Sequence, residues 1–232
     1  MKMTSAEALI LFDIDGTLVR RAGPHHREAL VEAVRKVTGL DTTTDHIPVQ
    51  GMLDPDILAW MLRDAGVAPA RIRRAMPDLI ARAQSVYPRL CPPDLRSKVC
   101  PGTPGLLSRL TRRRIPLGLV TGNLRRIGWK KLERAGLKRY FRFGAFAESA
   151  PDRAGLVRLA VAEAHRRHWI NGTSAIWLIG DHPNDILAAR ANNVRSVAVA
   201  TGLSSAEELA SHNPDVLLED LRSLRLATLL SK

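Results

Sequence analysis

Three short segments carry the residue types best suited to chemistry. Asp13-Ile14-Asp15-Gly16-Thr17 sets two carboxylates two positions apart. Thr121-Gly122-Asn123 adds a hydroxyl, a turn glycine and a carboxamide. Gly180-Asp181-His182-Pro183-Asn184-Asp185 adds two further carboxylates. Residues two apart in an extended segment share a face, so Asp13 and Asp15 can address one ligand. If the three segments meet, four carboxylates crowd one crevice, and unpaired acids cannot all ionise in a dry site. A hard divalent cation resolves the conflict. All-oxygen ligation favours Mg²⁺.

The elements around these segments decide whether they can meet. Each segment follows a short apolar run with the character of a buried strand: residues 9–12, 115–120 and 175–179. From residue 101 onward strands alternate with helical patterns, which predicts βαβ units and a parallel sheet. Between the first and second strands the pattern is helical. One helix is expected over residues 25–38, stopped by Gly39. A second opens with Asp54 as N-cap and Pro55 at its first position, and closes at Gly66. A third covers residues 72–87, where Pro77 should kink or split it. Beyond it, Thr103-Pro104 is expected to cap a helix, and a last helix is placed at about residues 221–230. The fold expected is α/β: a doubly wound, Rossmann-like parallel sheet with a helical segment inserted after strand 1. Residues 1–19 and 98–232 form its core, residues 20–97 the insert, and 19–24 and 91–101 the linkers. In such a sheet ligands sit beyond the carboxyl ends of the strands, where the three segments lie.

Composition narrows the function classes. With 45% hydrophobic and 25% charged residues, the 232-residue chain is neither disordered nor collagen-like. No apolar run approaches the roughly 20 residues needed to cross a bilayer, and the first residues lack the apolar stretch of a signal peptide. A cytoplasmic protein is expected. Cys91 and Cys100 have neither disulfide-framework nor zinc spacing. The net charge of +12 comes mostly from scattered arginines. With only 4% aromatics, it does not read as a nucleic-acid binder; it would draw in anionic metabolites. The four tryptophans read as packing residues.

Asp13-Ile14-Asp15-Gly16-Thr17-Leu18 resembles the first motif of the haloacid dehalogenase-like hydrolases. Val120-Thr121-Gly122-Asn123 resembles the second, and Gly180-Asp181 with Asp185 the fourth. Gly51-Met52-Leu53-Asp54-Pro55, Lys131-Leu132-Glu133 and Gly136-Leu137 are similar to the phosphoglycolate-phosphatase-like branch. The resemblance implies a helical cap of the C1 type at residues 20–97. It implies Asp13 as nucleophile toward phosphorus and Asp15 as general acid and base. It makes Asp13, the main-chain carbonyl of Asp15, Asp181 and Asp185 the Mg²⁺ site. Thr121, Gly122 and Asn123 would bind phosphate oxygens. The substrate would be a small phosphorylated metabolite, the protein a monomer or homodimer.

A fixed cation beside the acids is also required. The family places a lysine shortly before the fourth motif; Arg153 stands near that place. Lys131 is the alternative, but ten residues of helix rise about 15 Å, so it reaches the site only if its helix starts late or bends back. Placement favours Arg153. His182 reads as a loop residue at a helix N-terminus, and His25 and His26 as surface of the helical segment. Competing readings are a phosphomutase of the same fold and a non-catalytic basic binding protein. A dehalogenase would not need Asp15, and a phosphonatase would need a cap lysine, where residues 20–97 offer only Lys36.

Overall fold

The computed structural model of the protein describes residues 5–20 and 23–230. The run ALILF forms β1 (Ala8–Phe12), all five residues buried. Three helices follow: α1 (His25–Thr38), α2 (Asp54–Asp64) and α3 (Pro69–Leu90). Their buried stripes face one another, with α1 packed along α3 and α2 against both. Alternation then sets in: α4 (Thr103–Arg112), β2 (Leu117–Thr121), α5 (Arg125–Arg134), β3 (Phe143–Phe146), α6 (Arg153–Arg166) and β4 (Ala175–Gly180). The chain ends with α7 (Pro183–Arg190), β5 (Arg195–Val199), α8 (Ala206–Ser211), β6 (Val216–Leu218) and α9 (Leu226–Leu230).

All described strand pairs are parallel, in the order β3-β2-β1-β4-β5-β6. The first strand therefore lies inside the sheet. The chain leaves it toward β2 on one side and β4 on the other, so a crevice opens at its carboxyl end. The two linkers run side by side. Arg20 N–H donates to Lys98 O at 2.7 Å, and Cys100 N–H to Leu18 O at 3.0 Å. Part of the first linker, residues 21–22, and the start of the chain lie outside the described residues. No helix among the described residues is long and apolar enough to cross a membrane.

Several local expectations are corrected. Pro77 neither splits nor ends α3, which continues through it and through Pro88; tertiary packing of its apolar face outweighs the lost hydrogen bonds. Asp54 is not the cap of α2. Leu53 is, and Asp54 sits at the first helical position with its side chain engaged elsewhere. Thr103 is likewise inside α4, behind Gly102, whose φ of 83° makes the sharp entry. The second strand begins two residues later and ends one residue later than expected, at Leu117–Thr121. The last helix is a 3₁₀ turn (Leu221–Ser223) followed by the short α9. Trp177 is buried and donates to Leu229 O at 3.0 Å, whereas Trp60 stays 37% exposed and packs less than expected.

Candidate active site

The carboxyl ends of β1, β2 and β4 converge. Asp13 N–H donates to Ile179 O at 2.9 Å, which ties the end of β1 to the end of β4. Asp13, Asp181 and Asp185 each offer a carboxylate oxygen within 4.8 Å of the others, and all three are buried. Thr17 Oγ donates to Asp181 Oδ1 at 2.8 Å and turns that carboxylate inward. Asp13 Oδ1 is buried with no hydrogen-bond partner among the described residues. Three clustered acids, one with a carboxylate oxygen that makes no hydrogen bond, fit a hard cation. The Asp15 side chain is not part of this cluster.

Arg153 opens α6 and reaches the cluster from one side. Its Nη1 lies 2.6 Å from Asp185 Oδ1 and 3.4 Å from Asp13 Oδ1. Lys131 reaches the site as well, from the other side. Its Nζ donates to both oxygens of Asp15 at 2.7 and 2.6 Å and to Asn123 Oδ1 at 2.7 Å. The distance that argued against Lys131 vanishes because α5 starts only at Arg125. Lys131 is then about 9 Å along the helix. Helical side chains lean toward the N-terminus, and the lysine stem spans what is left. The choice between two cations thus gives way to two cations with separate carboxylates.

The electrostatics divide in the same way. Burial pushes the Asp13 carboxyl up to about 6 against the pull of the Arg153 guanidinium. Burial likewise raises Asp181 and Asp185, with Arg153 again opposing. Burial would raise Asp15 too, but the Lys131 ammonium overrides it and holds this carboxyl below its ordinary range. Asp13, Asp181 and Asp185 therefore call for another positive charge, and Asp15 does not.

Gly122 and Asn123 line a cavity of about 640 Å³ with Asp13, Asp15, Lys131 and Arg153. Thr121 is fully buried and does not line it. Its hydroxyl accepts from Asn123 Nδ2 at 2.7 Å, while the same amide donates to Asp15 Oδ2 at 2.7 Å. The far wall comes from the helical segment, including His26, Leu30, Met52 and Ile57. Two expectations fail there. His25 is buried against Tyr87, not on the surface, and His26 faces the site between Asp54 and Lys131. His182 does cap α7, accepting from Asn184 N–H at 3.1 Å.

Gly202 is a site residue that the three motifs do not include. It belongs to a second Thr-Gly pair at a strand end, Thr201-Gly202, following β5 as Thr121-Gly122 ends β2, and that repetition at strand ends is the signal. A Cβ on Gly202, or on Gly16 with its φ of 83°, would overlap Asp181 Oδ2. Gly202→Ala should displace that carboxylate and weaken Mg²⁺ binding by about 10–100-fold. Calorimetric Mg²⁺ titration checks this; unchanged affinity would show that Asp181 is not a ligand.

The comparisons with known proteins agree with this architecture. The chain is 29% identical to a phosphoglycolate phosphatase of Pseudomonas syringae pv. tomato, covering 93% of this chain and 78% of that one. It is 26% identical to the phosphoglycolate phosphatase of Synechococcus elongatus, over 90% and 92% of the two chains. Among solved structures, a β-phosphoglucomutase from Clostridium difficile superposes with a TM-score of 0.69 at 19% identity, over 96% and 95% of the chains. CbbY from Rhodobacter sphaeroides, solved with phosphate, gives 0.67 at 22% identity, over 95% and 98%. The sequence profile of the haloacid dehalogenase-like hydrolases matches residues 8–193, and the chain belongs to that family.

Proposed function

We propose that the protein is an Mg²⁺-dependent phosphatase that hydrolyses a small phosphorylated metabolite through an aspartyl-phosphate on Asp13. The observation that carries this reading is the pairing of two carboxylates with opposite electrostatics two residues apart. Asp13 Oδ1, at the metal-type cluster, makes no hydrogen bond and meets only the Arg153 guanidinium at 3.4 Å, whereas Lys131 bonds both oxygens of Asp15 and favours its ionised form. The phosphoglycolate phosphatases among its relatives support a phosphate monoester as substrate.

In the first half-reaction an Asp13 oxygen bonds to phosphorus while the bond from phosphorus to the leaving oxygen breaks. The departing alkoxide takes a proton from Asp15. That step needs Asp15 protonated, and a dianionic substrate beside it favours that form. In the second half-reaction water attacks phosphorus, gives its proton to the Asp15 carboxylate, and the bond from phosphorus to Asp13 breaks. The Lys131 ammonium favours the ionised Asp15 carboxylate that accepts this proton. Asp13, Asp181 and Asp185 would hold Mg²⁺, with the Asp15 carbonyl assigned to the same ion by the family resemblance. When bound, Mg²⁺ supplies Lewis-acid stabilisation of charge on the phosphoryl oxygens. Arg153 adds fixed positive charge next to Asp13. Gly122 and Asn123 face the phosphoryl group, and Thr121 braces Asn123 from below. Residues 20–97 act as a cap that excludes water from the cavity.

Phosphate release from a panel of phosphomonoesters, with Mg²⁺ and with EDTA, tests the reading. Silence on every member, or equal activity in EDTA, overturns it. A thermal measurement is independent of turnover. Ligand at 100 times its Kd stabilises by about 2.7 kcal/mol, and about 2–4 °C per kcal/mol gives a rise of roughly 5–10 °C. The rise should be larger at pH 7.5 than at pH 5. A carboxyl whose folded value lies above its unfolded one stabilises the metal-free protein most at low pH. For Asp13 that contribution is complete below about 3.8 and is lost as pH rises through about 6. Protons and Mg²⁺ then compete for the same oxygens, and an equal rise at both pH values would contradict the ligand role of Asp13.

A further inference from the structure

His26 links the helical segment to the acid side of the site through hydrogen bonds that fix its protonation pattern. Its Nε2 lies 3.0 Å from Asp54 Oδ2, and its Nδ1 lies 3.1 Å from Lys131 Nζ. An ionised carboxylate only accepts and an ammonium only donates. Nε2 must therefore carry the proton, and Nδ1 must offer its lone pair. The three ammonium hydrogens of Lys131 then have one acceptor group each: Asp15, Asn123 Oδ1 and His26 Nδ1. Asp54 Oδ2 in turn accepts from Leu124 N–H at 2.8 Å, and Asp54 N–H donates to Gly122 O at 2.8 Å. One carboxylate on α2 thus holds both the loop after β2 and the imidazole on α1.

We infer that His26 and Asp54 are positioning residues that orient Lys131 and, through it, the Asp15 carboxylate. The acid–base group of the core is then held from the helical segment as well as from the sheet. With His26 removed, the third ammonium hydrogen loses its acceptor, and Lys131 is free to swing about its stem. Asp15 then keeps its charge partner but loses its aim. Two proton transfers suffer: delivery to the leaving oxygen, which only poor leaving groups need, and removal from the attacking water, which is common to all substrates; attack by Asp13 on phosphorus is untouched. This inference rests on the phosphatase reading, and its test separates the two.

The test compares His26→Ala, His26→Gln and the wild type on two substrates. p-Nitrophenyl phosphate releases a phenolate that leaves without a proton, and an alkyl phosphate such as glycerol 3-phosphate needs one. Protonation by a positioned group contributes roughly 10²–10⁴-fold. His26→Ala should lower kcat/KM on the alkyl ester by about 10–100-fold and change kcat/KM on the aryl ester by less than about threefold, since kcat/KM ends at departure of the leaving group and leaves out the second half-reaction. His26→Gln, which keeps an adjacent donor and acceptor, should recover part of the alkyl activity. Equal losses on both esters would mark a general structural role and overturn the inference, as would no loss on either. A wild type silent on both esters overturns the phosphatase reading and the inference with it. A wild type active on the aryl ester alone overturns only the role given to Asp15 and its supports. A second readout needs no variant. Long-range ¹H–¹⁵N spectra of histidine-labelled protein should find the His26 proton on Nε2; a proton on Nδ1 would rule out the bond from Lys131.

Discussion

Asp13→Asn should lose turnover by at least roughly 10⁴-fold while remaining folded. The amide has the shape of the carboxylate but no nucleophilic charge. The loss should be the same for aryl and alkyl phosphates, because attack on phosphorus precedes departure of either leaving group. Stability should move the opposite way. The Asp13 carboxyl is pushed up first by burial, and the neighbouring Asp185 and Asp15 charges add to it. Replacing it by a neutral group relieves that repulsion, so the metal-free variant should melt no lower than wild type at pH 7.5. Phosphate release and thermal unfolding on one preparation check both halves. Turnover near wild type on p-nitrophenyl phosphate would remove Asp13 from the role of nucleophile.

Arg153→Ala and Lys131→Ala should both be severe, and in different ways. Arg153 is buried between Asp13 and Asp185, and its own charge is strengthened by them. Removing one partner of a buried ion pair costs about 3–5 kcal/mol. At about 2–4 °C per kcal/mol the metal-free melting point should fall by roughly 10 °C. Mg²⁺ should restore part of that fall, since the ion supplies positive charge to the same acids. Activity should drop by about 10²–10³-fold, the cost of one electrostatic stabiliser. Lys131→Ala should cost a similar factor on alkyl phosphates. Its effect on Mg²⁺ affinity should be small, because its partner Asp15 stands apart from the three clustered acids. The discriminating measurement is a Mg²⁺ titration of the melting point for each variant. If Lys131→Ala shifts Mg²⁺ affinity as much as Arg153→Ala does, the two cations do not serve separate carboxylates.

What the sequence made legible were the features governed by local rules. Apolar runs ending in Asp13, Thr121 and Gly180 are strands because short buried segments flanked by turn residues have few alternatives. The alternation after residue 101 implies parallel pairing, and parallel pairing implies a crevice at the strand ends. The parts that could not be read depend on side chains meeting across the fold. Asp54 has the residue type and position of a helix cap, yet its carboxylate accepts from Leu124, 70 residues away. His26 sits on an amphipathic helix like a surface residue, and only the docking of α1 against the site gives it Lys131. Pro77 obeys its local rule in isolation, but the packed face of α3 overrides it. Helical rise counted from Thr121 puts Lys131 out of reach, but the helix begins four residues later, at Arg125.

The position of β1 inside the sheet has a cost during synthesis. Its two neighbours are β2, which begins at Leu117, and β4, which begins at Ala175. At roughly 5–20 residues per second, ALILF waits on the order of ten seconds or more before both partners exist. A five-residue apolar stretch with strand character is an aggregation hazard over that interval. The chain brackets it with Glu7 on one side and Asp13 on the other, charges that oppose pairing between nascent chains. The carboxylate proposed as the nucleophile thus also guards the strand that carries it. Asp13→Asn should therefore lower soluble yield at high expression without lowering the melting point of the protein that does fold.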